Sequence, residues 1–159
     1  MSDFKVMVNS KENKIIVNML NYIYKNDGNK KMYNKEDYMR YLFGSIINYR
    51  MIREIGVILD KEDSFDFSRC MRVEAYTVDN TDHFRIINDN RISNIYCILL
   101  NYICKVDKNR VIYDSFSRYK DYLFKKLGIN YEYIKKVGVK DREEDEVEFK
   151  EFIKNYING

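Results

Sequence analysis

Apolar residues at helical spacing in the first third of the chain are the feature that most limits its fold. Residues 10–25 place apolar side chains on one face of a helix. Ser10 stands where an N-cap belongs, and Gly28 where a left-handed residue would end the helix. Residues 34–56 show a second such stripe and end at Gly56. The sequence therefore predicts two helices before residue 57.

The middle of the chain shows the alternation of apolar and polar residues that is typical of strands. Strands are predicted at residues 57–59, 71–78 and 83–87. Residues 93–104 fit either one face of a helix or a strand, and both alternatives stay open. A hairpin in which this segment pairs with residues 110–116 is favoured, because the polar residues between the two segments suit a turn.

The last third of the chain is predicted to contain two helices. Residues 117–128 form a helix that ends at Gly128, and a β-like segment or loop follows it. Residues 141–159 form the last helix, whose acidic first turn suits the helix dipole. The predicted buried face of this helix consists of Val147, Phe149, Phe152, Ile153 and Tyr156.

These elements together predict an α+β fold. It is a single small domain with helices at both ends around a small, central, mainly antiparallel sheet. Of the 159 residues, 45% are hydrophobic and 33% are charged. This is a globular composition, so we expect residues 1–159 to form one globular domain. No internal linker or repeat is predicted.

Cysteine usage and composition bear on where the protein acts. Cys70, Cys97 and Cys104 form an odd set without metal-ligand spacing, which indicates reduced thiols in a cytoplasmic compartment. Neither a signal peptide nor an apolar run of the about twenty residues that a membrane span needs is predicted. Abundant Lys, Asn, Ile and Tyr are typical of AT-rich genomes. This composition favours a phage, a virus or a mobile element as the source.

The chain offers few groups for catalysis. His83 is its one histidine, and histidine is the side chain that titrates near neutrality without perturbation. The sequence has no glycine-rich phosphate loop, no CxxC pair and no HExxH helix. We therefore expect no enzyme activity, no catalytic residue, no cofactor and no metal. A cysteine hydrolase, in which His83 activates Cys70 or Cys97, is an alternative that ranks below binding functions.

One segment is similar in part to a protease family. Residues 94–116 resemble the hairpin of the adenain-like cysteine proteases, in which a His-aromatic pair opens one strand and Tyr-Asp-Ser ends the next. Asp114 matches the acid of that triad in type, but Asn94 stands where the family has its histidine. Because an amide cannot act as a general base at neutral pH, the resemblance implies no activity. Asp114 with Glu148 and Lys150 also resembles the Mg²⁺-holding motif of metal-dependent nucleases, a second enzyme alternative.

Tyrosine is the compositional feature with the clearest link to function. The chain has 15 tyrosines, and too many of them crowd the first two helices for one buried stripe. Exposed tyrosines are typical of recognition surfaces. We therefore expect a non-enzymatic protein-binding factor whose partner is another protein or a ribonucleoprotein, such as a host defence macromolecule that it inhibits. The interface candidates are Tyr33, Tyr41, Tyr49, Glu143, Glu144, Asp145 and Glu146.

The alternative function is nucleic-acid binding. Lysines and aromatic residues are interleaved between residues 118 and 140, as they are in proteins that bind single strands. The net charge of +3 and the pI of about 8.6 permit this function without indicating it. The candidate residues are Lys125, Lys126, Lys135, Lys136 and Lys140. The sequence leaves the oligomeric state open.

Overall fold

The computed structural model describes residues 4–60 and 82–158, with side chains throughout these ranges except at residues 145–148 and 158. The elements before residue 61 are β1 (Phe4–Val6), α1 (Lys11–Asn26), a 3-10 turn (Gly28–Met32), α2 (Lys35–Tyr41), a π turn (Leu42–Ile46), α3 (Tyr49–Ile55) and β2 (Val57–Leu59). The elements after residue 81 are β3 (Phe84–Ile86), α4 (Arg91–Val106), a 3-10 turn (Arg110–Ile112), α5 (Phe116–Leu127), α6 (Tyr131–Val137), β4 (Val139–Asp141) and α7 (Arg142–Asn158). The chain is thus an α+β protein, as predicted.

The same order of elements occurs twice in the described residues. Each half runs from a short strand through a long helix, a 3-10 turn and two further helices to a second short strand. We call residues 4–59 repeat 1 and residues 84–141 repeat 2, and α7 follows repeat 2. The expectation that the chain has no internal repeat is therefore wrong.

Identical residues occupy equivalent positions in the two repeats. The offset is 80 residues from the first strand through the 3-10 turn, and single insertions in repeat 2 then raise it to 81 and 82. The identical pairs include Phe4 and Phe84, Leu20 and Leu100, Asn21 and Asn101, Tyr22 and Tyr102, Asp27 and Asp107, Tyr33 and Tyr113, Tyr38 and Tyr119, Phe43 and Phe124, Tyr49 and Tyr131, and Gly56 and Gly138. The two halves therefore use the same side chains for packing and for hydrogen bonds.

The residues that begin the helices correspond as well. In each case the N-cap side chain accepts a hydrogen bond from a backbone N–H of the first turn, which would otherwise lack a partner. The equivalent caps are Ser10 and Asn90 on the first helix, Asn34 and Ser115 on the second, and Asn48 and Asn130 on the third. The start of each helix is therefore encoded in the same way in both repeats.

Each repeat closes its own two-stranded sheet at a glycine. Gly56 and Gly138 have φ angles of 108° and 133°, in the region that favours glycine. The Gly56 carbonyl accepts hydrogen bonds from the backbone of residues 7–8, and the Gly138 carbonyl accepts them from residues 87–88. These contacts hold β1 antiparallel to β2 and β3 antiparallel to β4. In the part of the chain that the structure describes, the strands thus form two small antiparallel sheets.

One hydrophobic core extends through both repeats. The first helices, α1 and α4, pack against each other within it. The Tyr96 hydroxyl of α4 donates a hydrogen bond of 3.0 Å to the carbonyl of Glu12 in α1. Several of the tyrosines are fully buried in this core, namely Tyr38, Tyr49, Tyr96 and Tyr119. Much of the tyrosine content is therefore structural.

Several predicted elements are present. Strands lie at residues 57–59 and within residues 83–87, and the helix at residues 117–128 ends at a left-handed Gly128 with a φ of 67°. Gly56 ends α3 in the same conformation, as predicted. The strand predicted at residues 71–78 lies outside the described residues.

Two details of the first helices differ from the prediction. The helix α1 ends at Asp27, which is extended, and Gly28 begins the 3-10 turn instead of acting as a left-handed cap. The predicted helix over residues 34–56 is interrupted, because Ile47 adopts an extended conformation after the π turn and Asn48 caps a new helix. Local capping chemistry thus overrides a continuous apolar stripe.

The hairpin favoured for residues 93–104 is wrong. This segment belongs to α4, which begins with a capping box between Asn90 and Ser93. Residues 110–112 form a 3-10 turn and not a strand, and residues 129–139 contain α6. Nearly every side chain from 95 to 104 is buried, so no polar face marks the helical period in the sequence.

The prediction of a buried face on the last helix is also wrong. The helix α7 forms, but Phe149 and Phe152 are each 64% exposed and Tyr156 is 78% exposed. Val147 belongs to the side chains that are not described. Because every described residue from 149 to 157 is exposed, α7 projects away from the core. Its apolar residues are present at the predicted spacing but lack a covering surface.

Candidate interaction surface at the axis between the repeats

The two first helices end side by side. Asp27, after α1, and Asp107, after α4, form an isolated antiparallel bridge. The backbone N–H of Lys108 donates a hydrogen bond of 3.2 Å to the Asn26 carbonyl at this point. The side-chain bonds across the bridge are reciprocal, from Tyr22 to Asp107 and from Tyr102 to Asp27, so an approximate twofold axis relates the two repeats. The two 3-10 turns begin immediately beyond the bridge.

The Asp27 carboxylate is held by both repeats. One oxygen accepts hydrogen bonds from the Tyr38 hydroxyl of its own repeat at 2.8 Å and from the Tyr102 hydroxyl of repeat 2 at 2.5 Å. The other oxygen accepts from the backbone N–H of Asn29 at 2.8 Å. All the donors are neutral, so the carboxylate is satisfied without an ion pair.

The Asp107 carboxylate has the equivalent set of hydrogen bonds, related to that of Asp27 by the twofold axis. It accepts from the Tyr119 hydroxyl of its own repeat at 2.6 Å, from the Tyr22 hydroxyl of repeat 1, and from the Asn109 N–H at 2.9 Å. Burial and then the adjacent carboxylate raise the pKa of each of these tyrosines well above its usual value. The same two causes raise the pKa of the tyrosines at Asp27. The hydroxyls therefore stay protonated and keep donating.

These bonds fix the two segments that follow the carboxylates. We call residues 27–33 and 107–113 together the loop face. Three of its apolar side chains lie almost wholly in water, since Met32 is 74% exposed, Val111 is 85% exposed and Ile112 is 75% exposed. Met32 and Ile112 are equivalent positions of the two repeats. The loop face thus presents apolar side chains on a rigidly bonded support.

Aromatic stacking extends this surface in repeat 1. The ring of Tyr33 stacks on that of Tyr41 with 5.2 Å between centroids and 15° between planes. Tyr33 is exposed, and Tyr41 is half-buried. These two predicted interface residues therefore do lie together at a surface. Tyr49 does not, because it is fully buried and its hydroxyl accepts a hydrogen bond from the Leu59 N–H.

Cations surround the loop face. Lys25 and Lys105 are equivalent, exposed residues at the ends of α1 and α4, and Lys31 and Lys108 are exposed within the loop face itself. Among the described residues, no carboxylate forms an ion pair with any of these four lysines. The rim of the surface is therefore positive.

A polar cavity of about 460 Å³ opens beside the loop face, between repeat 1 and repeat 2. It lies between α1 and the end of α5, with Lys25 and Lys126 on its wall. Tyr22 and four asparagines, Asn18, Asn21, Asn26 and Asn109, line it as well. The Asn109 amide donates to the Asn26 side chain at 3.0 Å, and these bonds tie the cavity wall to the Asp107 carboxylate.

The acidic interface candidates of the last helix differ in exposure and in their contacts. The Glu144 carboxylate pairs with the Lys135 ammonium at 2.7 Å and accepts from the Tyr131 hydroxyl at 2.6 Å. Burial alone would raise the pKa of Glu144, but these two bonds outweigh it and lower that pKa. Glu143 is exposed. The side chains of residues 145–146, Asp145 and Glu146, lie outside those described.

The lysine candidates for nucleic-acid binding also differ in exposure and in their contacts. Lys125, Lys126 and Lys136 are exposed, with no ion pair among the described residues. Lys135 is held by its pair with a glutamate, and Lys140 is half-buried on β4. Three of the five candidates are therefore accessible to a phosphate backbone.

The residues considered for catalysis have structural contacts. The His83 ring stacks on Phe116 with 4.0 Å between centroids, and it lies 2.9 Å from the Arg110 guanidinium. Burial and that guanidinium lower the pKa of His83. Burial raises the pKa of the Cys97 thiol to about 12, which disfavours the thiolate that a nucleophile needs. Asp114 is exposed and pairs with Arg118 at 3.5 Å.

The described ranges contain neither a cluster of metal ligands nor a membrane-spanning helix. In these ranges no three His, Cys, Asp or Glu side chains converge as metal ligands would. None of the described helices has the length and apolar content needed to cross a bilayer. No protein-family model, curated protein or solved structure significantly matches the chain.

Sequence reasoning missed the carboxylates at the axis and the exposed apolar residues beside them. A signal for them was present in the segment Asn21-Tyr22-Ile23, which recurs as Asn101-Tyr102-Ile103. In both copies an aspartate follows the isoleucine by four residues and an asparagine follows it by six. Alignment of these two segments would have identified the repeat and hence the axis.

Proposed function

We propose that the chain is a non-enzymatic protein-binding factor that engages its partner through the loop face. The observation that supports this most is the exposure of Met32, Val111 and Ile112 on segments fixed by buried hydrogen bonds. Apolar side chains at the centre of an interface supply most of its binding free energy. Segments that are already ordered lose little entropy on binding.

The size of the surface agrees with this function. Met32 and Ile112 each lie five residues beyond the bridged aspartates. At about 2.0 Å per residue in a 3-10 turn, each lies roughly 10 Å from the axis. Both therefore fit within one face of about 800 Å², the area that each partner of a standard interface buries. The positive rim favours a partner with an acidic border around its apolar patch.

The source that the composition favours suggests the kind of partner. A small factor from a phage, virus or mobile element that lacks catalytic groups acts by occupying a surface of a host macromolecule. We therefore propose inhibition of a host protein or ribonucleoprotein as the outcome of binding.

The test is a pull-down with the full chain, read by quantitative mass spectrometry. The bait is compared with a double variant, Met32→Asp and Ile112→Asp. The matched control is Met7→Asp with Ile87→Asp, because these exposed residues are also equivalent positions of the repeats. They lie near the opposite ends of α1 and α4, about 24 Å away along 16-residue helices.

The expected result is a stoichiometric protein that survives nuclease and high salt, is retained by the control and is lost by the loop-face variant. A partner that binds the loop-face variant as well as it binds the control would contradict the proposed surface. Recovery that vanishes on nuclease treatment would instead support nucleic acid.

Nucleic-acid binding remains the second candidate, and it rests on the exposure of Lys125, Lys126 and Lys136. It predicts that the logarithm of the binding constant falls with the logarithm of salt concentration, by about 0.7–0.9 per phosphate contact. Replacement of the three lysines by Gln should then flatten that slope. Binding that is insensitive to salt would exclude this candidate.

A further inference from the structure

The polar cavity between the repeats has the size of a small-molecule site. Its volume of about 460 Å³ lies within the range of roughly 300–1,000 Å³ that such sites occupy. Asn26, which is 9% exposed, donates a hydrogen bond of 3.1 Å to the Tyr22 carbonyl and accepts one of 3.0 Å from the Asn109 amide. All three residues line the cavity. Its wall is therefore ordered by bonds within the protein and needs no ligand to form.

The fold does not require the polar side chains of this wall. At the equivalent positions of repeat 2, Ile98 replaces Asn18 and Val106 replaces Asn26. Ile98 is buried, whereas Asn18 is exposed. Both repeats nevertheless form the same helices and the same aspartate–tyrosine bonds. The polar residues on one side of the twofold axis therefore point to a role other than folding.

Two lysines give the cavity its charge. Lys25, at the end of α1, and Lys126, at the end of α5, lie on its wall, and none of the described residues on that wall is acidic. Neither ammonium forms an ion pair within the described ranges. The Asp107 carboxylate, next to the wall, is satisfied by two tyrosine hydroxyls and a backbone N–H. A cleft with cations of one sign favours an anion, and lysine is a common ligand of phosphate.

The other wall residues indicate what the anion is attached to. The side-chain oxygens of Asn18 and Asn109 accept no hydrogen bond from any described residue, so they are available to N–H or O–H donors of a ligand. The Tyr122 ring also lines the cavity, and it packs on Tyr113 with 5.1 Å between centroids. An aromatic ring can stack on a planar base. A phosphate, a polar edge and a flat ring occur together in a nucleoside phosphate.

We propose that this cavity binds a nucleoside phosphate, with Lys25 and Lys126 as the ligands of the phosphate and Tyr122 as the contact of the base. Asn18 and Asn109 accept hydrogen bonds from the donors of the base or the sugar. A free nucleotide and one unit of a single strand share this chemistry, and the experiment distinguishes the two. The proposal does not depend on which protein the loop face binds.

The test is isothermal titration calorimetry of the full chain with adenosine monophosphate and with uridine monophosphate. At least one of them is expected to bind with a dissociation constant on the order of 10–100 μM, which is typical of a ligand of this size. The corresponding nucleoside and inorganic phosphate should each bind at least about tenfold more weakly, because each makes only part of the contacts. Inorganic phosphate that binds as tightly as the nucleotide would overturn the proposal.

Two variants locate the ligand. Lys25→Gln combined with Lys126→Gln should weaken binding by at least about tenfold. Asn18→Ile places the repeat 2 residue in the wall and should weaken binding by a similar factor of about ten, since an acceptor is lost. The matched control is Lys105→Gln with Lys136→Gln, which removes the same charge from exposed lysines that do not line the cavity. Circular dichroism verifies that each variant is folded. Affinity equal to that of the control in either variant would overturn the proposal.

A single strand of about five nucleotides distinguishes the two sources of the ligand. A strand that binds at least about tenfold more tightly than the monophosphate, and is weakened by the same variants, would assign the site to one unit of a strand. A strand that binds no more tightly would assign it to a free nucleotide. If neither the strand nor either monophosphate bound below about 1 mM, the proposal would be wrong.

Discussion

Repeats 1 and 2 share their elements, their caps and their aspartate–tyrosine bonds, yet their first helices are buried to different extents. The helix α4 buries 11 of its 16 residues, and α1 buries 7 of its 16. Part of the difference lies at the polar cavity, where Asn18 is exposed and Asn21 and Tyr22 are half-buried, whereas the equivalent Ile98, Asn101 and Tyr102 of α4 are buried. The comparison indicates that the bonded framework sets the fold, while one copy carries a polar surface that the other has sealed.

The same framework places the carboxylates in unlike surroundings. Asp27 accepts from two buried hydroxyls, those of Tyr38 and Tyr102. Asp107 accepts from the buried Tyr119 and from Tyr22, which is half-buried and lines the cavity. Water can therefore replace one partner of Asp107 and neither partner of Asp27.

The largest expected effect is a difference between Asp27→Ala and Asp107→Ala. Removal of the acceptor leaves buried donors without a partner, so Asp27→Ala should lower the free energy of unfolding by about 4 kcal/mol. Asp107→Ala should cost about 2 kcal/mol, because water reaches Tyr22. Denaturant unfolding followed by circular dichroism measures both. Equal losses, or a larger loss at Asp107, would show that water from the cavity does not reach the Tyr22 hydroxyl.

The matched control for this pair is Asp114→Ala. Asp114 is exposed, and its ion pair with Arg118 lies in solvent. The free energy of unfolding should therefore change by less than about 0.5 kcal/mol. A large loss in the control would mean that removal of any carboxylate destabilises the chain.

The second-largest expected effect is the loss of stability when alanine replaces either of the glycines that close the sheets. A Cβ on Gly138 would lie 2.5 Å from the backbone carbonyl oxygen of Asn88. A Cβ on Gly56 would lie 2.5 Å from the Cβ of Val8 and 3.0 Å from its backbone N, so relief there also needs the backbone to move. Gly138→Ala and Gly56→Ala should therefore each lower the free energy of unfolding by about 3 kcal/mol.

Gly128→Ala calibrates this comparison. Gly128 has a φ of 67°, and nothing lies within 4 Å of its Cβ position. Its cost is that of the left-handed conformation alone, about 1–2 kcal/mol. All three variants are measured by denaturant unfolding. If Gly128→Ala cost as much as Gly138→Ala, the close contact at Asn88 would contribute nothing.

The smallest expected effect is a pH dependence at the one histidine, His83, which directly precedes repeat 2. Burial and the Arg110 guanidinium lower the pKa of His83 below 6.5 in the folded protein. The unfolded chain therefore binds more protons than the folded one just below pH 6.5, and stability falls as the pH decreases through that window. Because the ring is partly exposed, the loss should stay under about 1 kcal/mol.

The comparison that checks this is His83→Gln. Thermal unfolding between pH 5 and pH 8 should show a slope near pH 6 in the unmodified chain and a weaker slope in the variant. Identical slopes in the two proteins would assign the dependence to other groups. A slope of opposite sign would mean that the folded state favours the charged imidazole.

Local chemistry explains what could be predicted from the sequence. Ser10, Asn34, Gly56 and Gly128 each act through bonds or dihedral angles within a few residues, so their roles are readable without the fold. The hairpin at residues 93–104 failed because α4 is buried on nearly all sides and its sequence lacks a polar stripe. Strand propensity then decided the prediction in the absence of a period.

The repeat and the axis were missed for a different reason. Identity between the halves is scattered, and the offset changes twice, so no fixed period is visible. Asp27 and Asp107 are separated by 80 residues, and nothing in either segment alone indicates that they meet. The exposure of the apolar face of α7 could not be predicted either, because the spacing of apolar residues in the sequence is the same whether or not the rest of the domain covers that face.

The central claim is that the two repeats form one cooperative unit joined by the reciprocal tyrosine–aspartate bonds. Native-state amide hydrogen exchange on the full chain tests it most directly. The slowest amides of α1 and α4 should exchange with the same opening free energy, equal to that of global unfolding, and Tyr102→Phe should lower both by the same amount. If α1 opened at a lower free energy than α4, or if Tyr102→Phe affected the amides of one repeat alone, the repeats would be separate units and the claim would be wrong.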